Sequence, residues 1–186
     1  MSQKTMPIRR FVRGLCIALA AVAMTTLSLT VAAPAQAAGV DALCTLGSDA
    51  YTFSPGLGLL PAANTFTAAG VSSSTCAVAP SGVTGVTLTS ASGSGNVGCA
   101  TSSGVSGTAL FTWSDSVTST VAISGLVLGL SGAAKIVTLS GTVSSGRFTG
   151  DTVTLVYLST ANTLLCLSGS LTNVPGVTTA LTFTSV

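Results

Sequence analysis

The chain has 186 residues, 47% of them hydrophobic, with six Lys or Arg, four Asp, no Glu and no His. Lacking His and Glu, it is without the side chains that most often act as general base or metal ligand. Residues 38–186 carry one Lys and one Arg against four Asp, which excludes nucleic-acid binding through clustered cations, and the high hydrophobicity with low net charge excludes disorder.

From the N-terminus, Lys4, Arg9, Arg10 and Arg13 precede an apolar run over residues 15–33, and Ala35-Gln36-Ala37 supplies an A-x-A cleavage site. This order of charged, apolar and small residues predicts a secretory signal peptide over residues 1–37, so the mature chain starts at Ala38 and is secreted. Arg9-Arg10-Phe11-Val12-Arg13 partly matches a twin-arginine signal, but the strongly apolar run favours the general route. Asp41-Ala42-Leu43 ahead of Cys44 lacks the small residues that precede a lipidated cysteine. Residues 14–33 are long enough to span a bilayer if left uncleaved; their Ala and Thr content and the A-x-A site favour cleavage.

Residues 38–186 read as one domain. Cys16 falls in the signal, leaving Cys44, Cys76, Cys99 and Cys166. Four cysteines in an exported chain, with no C-x-x-C and no His, predict two disulfides and no metal site. Of the three pairings, Cys44–Cys76 with Cys99–Cys166 is favoured, since the first closes the shorter N-terminal loop.

Strand periodicity follows along the chain. Residues 84–89 alternate apolar and hydroxyl side chains; Ala109, Phe111 and Trp113 share a face, as do Val153, Leu155 and Tyr157; residues 137–143 and 177–184 alternate too, with Leu181 and Phe183 on the face of Val177. Period two means one buried and one wet side, and Thr suits the wet one. Turn signals fall at residues 54–56, 80–82, 91–98, 114–116, 144–146 and 159–162. About eight short strands and no helix beyond the signal predict an all-β antiparallel β-sandwich, immunoglobulin-like in strand spacing, with a closed barrel as the competing architecture.

Taken in order, Cys44, Tyr51-Thr52-Phe53-Ser54-Pro55-Gly56-Leu57, Cys76, Cys99, Phe111-Thr112-Trp113-Ser114-Asp115, Ser145-Gly146-Arg147-Phe148-Thr149-Gly150-Asp151 and Cys166 resemble the uncharacterised small exported proteins of actinomycetes. Members commonly have Gly after the Asp that follows the Trp, where this chain has Ser116. The resemblance implies a secreted β-sandwich and brings no activity with it.

Candidate chemistry is sparse. The segments at residues 104–107 and 129–132 are not G-x-S-x-G elbows, and each reads as a turn or bulge. A Ser-Lys dyad would need Lys135, which reads as a solvated strand end. Asp115 and Asp151 sit beside turns, where Asp binds its own backbone, rather than as a glycosidase pair, and no D-x-D spacing suggests calcium. The most individual stretch is the loop at residues 145–151: Arg147 and Asp151 flank a hairpin and are expected to pair across it, and with Phe148 they make the candidate recognition loop. With the thiols oxidised and no His, stability is expected to be nearly flat between about pH 6 and 9.

The reading is an exported, non-enzymatic extracellular or cell-surface module with no cofactor. The sequence singles out no partner, and a cell-wall or surface component is one option. The alternative is an envelope-associated β-protein, a pore or surface layer, although the few aromatic residues do not suit a lipid-facing barrel.

Overall fold

A computed structural model describes residues 39–186 apart from 46, 70–73 and 132–133. The expected signal peptide and its cleavage site lie outside the described residues. Ten strands follow in chain order: β1 (Val40–Thr45), β2 (Ser48–Leu57), β3 (Ala62–Ala69), β4 (Ser74–Val78), β5 (Gly85–Val97), β6 (Ser102–Trp113), β7 (Thr118–Ser131), β8 (Ala134–Gly146), β9 (Thr152–Ser159) and β10 (Leu171–Thr184). One turn of 3-10 helix, Thr163–Cys166, precedes β10. No α-helix occurs among the described residues.

Every ladder is antiparallel, and all ten strands join one sheet. The pairing runs β2, β3, β5, β6, β7, β8, β9, β10 and returns to β2. Two positions in this ring are shared. β10 offers the same edge to β2 through Leu171–Val177 and to β1 through Leu181–Thr184. β5 offers one edge to β3 beyond Ser90 and to β4 at Gly85 and Val86, and β1 pairs with β4. The hydrogen bonds therefore close around a barrel eight positions in circumference, a size whose interior side chains can fill.

This corrects the expected two-sheet, immunoglobulin-like sandwich. Alternation is the same in both architectures; what separates them is whether long strands carry the ladder round the corners. Strands of 12 to 14 residues, such as β6, β7 and β10, do so with register shifts in the β5–β6, β7–β8 and β10–β9 ladders, where bulges raise local twist. Residues 91–98, expected as a turn, are mostly the second half of β5. Their glycines serve close approach instead: a Cβ on Gly93 would meet the Phe66 ring at 2.5 Å, and one on Gly95 would meet Val105 Cα at 2.8 Å. Ser54-Pro55-Gly56 likewise lies within β2, its Ser54–Pro55 bond cis.

The inward faces form one apolar core, with Phe66, Phe111, Trp113, Tyr51, Tyr157 and Phe183 among its bulkiest ring members. The groups Ala109, Phe111, Trp113 and Val153, Leu155, Tyr157 point inward as expected. Val177 does not share the face of Leu181 and Phe183. The shift between Thr178 and Ala180 reverses the parity, so Val177 is exposed and Thr178 buried.

Both disulfides form with the favoured pairing, Cys44–Cys76 and Cys99–Cys166. Cys44 and Cys76 face each other across the β1–β4 ladder. Cys99 and Cys166 join the β5–β6 connection to the 3-10 turn at one end of the barrel.

Candidate functional site

Four of the six charged residues between positions 38 and 186 gather at the barrel end where β6 passes to β7 and β8 to β9. The first turn is built on Trp113: its N–H donates to Val117 O at 2.8 Å and its carbonyl accepts from Ser116 N at 2.8 Å. Asp115 Oδ1 accepts from Val117 N at 3.3 Å, the local backbone bonding for which Asp suits turns. The second turn holds Arg147 by its N–H on Thr118 O at 3.0 Å and reverses with Phe148 at φ 63°, its carbonyl accepting from Asp151 N at 2.9 Å.

Ser119 ties the two turns together. Its buried hydroxyl accepts from Trp113 Nε1 at 2.8 Å and donates to Arg147 O at 2.7 Å. The Arg147 guanidinium lies 5.7 Å from the Trp113 ring centroid and forms a salt bridge to Asp115. Arg147 thus pairs with Asp115 and not, as expected, with Asp151 across its own hairpin. Phe148 is half-buried, edge-on to Trp113 at 5.3 Å and 5.6 Å from Phe183; its ring caps the core. Asp151 is buried, and its carboxyl is held above the usual carboxylate range by burial first, then by a hydrogen bond and charge from Asp41. Arg147 Nε and Asp151 Oδ2 find no partner among the described residues.

The loop residues Arg147, Phe148 and Asp151 therefore come together with Trp113, Asp115 and Asp41, but their contacts face one another. The guanidinium has a carboxylate, the ring has the core, and the Asp151 carboxyl has Asp41. The cluster seals this end of the barrel and leaves the outer edge of the Arg147–Asp115 pair as its polar surface.

Two charged residues lie elsewhere. Asp49 is buried in β2; it accepts from Thr178 Oγ1 at 2.7 Å, and its carboxyl is raised by burial, an effect the Thr178 bond opposes. Beside it, Tyr157 Oη bonds the carbonyls of Asp49 at 2.6 Å and Val174 at 2.7 Å; burial, reinforced by Asp49, raises its phenol. Lys135, expected as a solvated strand end, is wholly buried inside the barrel, and burial lowers its ammonium. Neither Asp49 nor Lys135 was anticipated as buried, yet parity marks both: Asp49 is in phase with Tyr51 and Phe53, and Lys135 with Val137 and Leu139.

The segment at 104–107 does carry a bulge, with Gly104 at φ 59° beside a register shift, whereas Gly129 pairs regularly with Ile136 within β7. The chain matches no family profile, no curated protein and no solved structure.

Proposed function

We propose that this chain is exported and serves outside the cell, or on its surface, as a non-enzymatic binding or structural module. The observation that carries the reading is the pair of disulfides, one inside the β1–β4 ladder and one across a barrel end. Such cross-links belong to oxidising compartments, where they constrain the unfolded chain. The resemblance to small exported actinomycete proteins points the same way.

The non-enzymatic half rests on how the charged groups are used. Arg147 engages Asp115, Asp151 leans on Asp41, Asp49 takes a hydroxyl from Thr178, and Lys135 lies inside the core. Each is taken up by a contact within the fold. A pore is disfavoured because the interior is filled by apolar side chains while much of the outside is Thr and Ser, as in the cross-strand row Thr142, Thr152 and Thr184. A lipid-spanning barrel has the opposite polarity.

Pull-down with the exported protein on purified cell-wall material and on culture medium tests the reading. Retention of one component, unchanged chemically after release, is the expected result. A retained component that is cleaved or modified on release would overturn the non-enzymatic assignment.

A further inference from the structure

The barrel end opposite the charged cluster carries a group of leucines that the fold leaves in water. The connection between β2 and β3 exposes Leu59 by 51% and Leu60 by 81%; the segment around the 3-10 turn exposes Leu164 by 68%, Leu165 by 40% and Leu167 by 67%. The two segments adjoin. Cys99 N donates to Gly58 O at 2.8 Å while Cys99 is disulfide-bonded to Cys166. A Cβ on Gly56 would lie 2.8 Å from Gly169 O. Behind them on the outer wall of the same end stands an exposed cross-strand pair, Leu158 and Val177. Scattered exposed apolar residues are ordinary, but a contiguous set marks a site of contact with a protein or a membrane.

We propose that this leucine end docks on the uncharged surface of a lipid bilayer, its two loops entering the interface between headgroups and acyl chains. The proposal does not depend on the function proposed above. Charge selects the occupant. The charged side chains that reach solvent among the described residues, Asp41, Asp115 and Arg147, are all at the other end, and Lys135 at this end is buried. An end without exposed charge can enter a zwitterionic bilayer without desolvating an ion, and it has no Lys or Arg with which to seek anionic lipid. Composition argues against a protein partner or a second copy. Protein interfaces concentrate their binding energy in Trp, Tyr and Arg, with Leu under-represented, and no exposed aromatic or Arg stands here. Leucine is instead among the side chains that partition best into hydrocarbon. The loops are also ordered in advance, by the Cys99–Cys166 bond and by Asn162 Oδ1 accepting from Leu164 N at 3.0 Å, so little conformational freedom is lost on entry.

Sedimentation with phosphatidylcholine vesicles tests this, using exported protein whose parent and variant forms share the same N-terminus. The parent is expected to sediment with vesicles equally at low and high salt, and the double variant Leu164→Asp, Leu167→Asp to bind at least about tenfold more weakly. Because both side chains are exposed, its thermal melt should match the parent's. A Leu60→Trp variant should be quenched by brominated phosphatidylcholine, while Trp113, buried at the opposite end, serves as the unquenched internal control. The proposal is overturned if the parent stays in the supernatant, if the Asp variant binds as well as the parent, or if residue 60 is not quenched. A concentration-dependent dimer that the Asp substitutions dissolve, with no vesicle binding, assigns the end to a second copy and equally overturns it.

Discussion

Lys135 Nζ donates to Cys166 Sγ at 3.0 Å inside the barrel, so a wholly buried amine rests against a disulfide rather than a carboxylate. Sulfur is a weak acceptor, and burial therefore lowers the ammonium below the ordinary lysine value of 10.5. Below that pH the unfolded chain binds more protons at this site than the folded one, so stability rises with pH. The contribution is complete above 10.5 and is lost as pH falls through the folded value. The flat response expected from composition does not allow for this residue. Melting temperature should climb as pH rises toward about 10, above which the raised phenols of the buried Tyr51 and Tyr157 act in the opposite direction, and Lys135→Met should abolish the climb and stabilise the protein at neutral pH by about 1–3 kcal/mol. Melts of both proteins across the alkaline range check it.

Asp49 and Asp151 act with the opposite sign on the acid side. Burial raises both above 3.8, so the folded state keeps these protons longer than the unfolded state does. The stability this confers is full below 3.8 and is lost as pH rises through the folded values. Asp49→Asn retains an acceptor for Thr178 and removes the charge, and it should raise neutral-pH stability by about 1 kcal/mol. Urea melts on both sides of pH 4 should show a shallower fall with rising pH in the variant than in the parent.

At the charged end, Phe148 and Arg147 should separate cleanly. Phe148 packs on Trp113 and Phe183 but is only half-buried, so Phe148→Ala should cost about 1–3 kcal/mol, below the range for a fully buried Phe. Arg147→Ala removes a partly exposed ion pair and a ring contact and should cost about 1 kcal/mol. Thermal melts compare them. A larger loss for Arg147→Ala would mean that the ion pair, not the ring, closes this end.

Reading parity along the chain locates most of the core. The inward phases of β6 and β9 follow from alternation alone, and the same phase carried back two residues from Val137 reaches Lys135. What alternation does not carry is where a bulge resets it. The shift after Thr178 puts Val177 outside and Thr178 against Asp49, and nothing in the run of Val, Thr and Leu marks that point. Closure into one ring escaped for a related reason: it depends on β10 and β5 each serving two neighbours along one edge, a pairing between segments far apart in sequence. The Arg147–Asp115 partnership is also non-local, whereas Arg147–Asp151 was the nearer choice in the chain.

The Cys99–Cys166 bond closes the longer of the two loops, 67 residues apart against 32. Replacing both cysteines with Ala should cost about 4 kcal/mol by loop entropy and should loosen the leucine end while the β6–β9 wall stays protected. Hydrogen exchange should show new opening confined to the segments near residues 58–61, 98–101 and 163–170.

The central claim, an exported barrel locked by two disulfides, meets its most direct test in a non-reducing peptide map of the protein recovered from culture medium. The account predicts a chain starting at Ala38, no free thiol, and linked peptides joining Cys44 to Cys76 and Cys99 to Cys166. A product that retains Met1 and stays with the cells, carries free thiols, or joins Cys44 to Cys99 or Cys166 would contradict it.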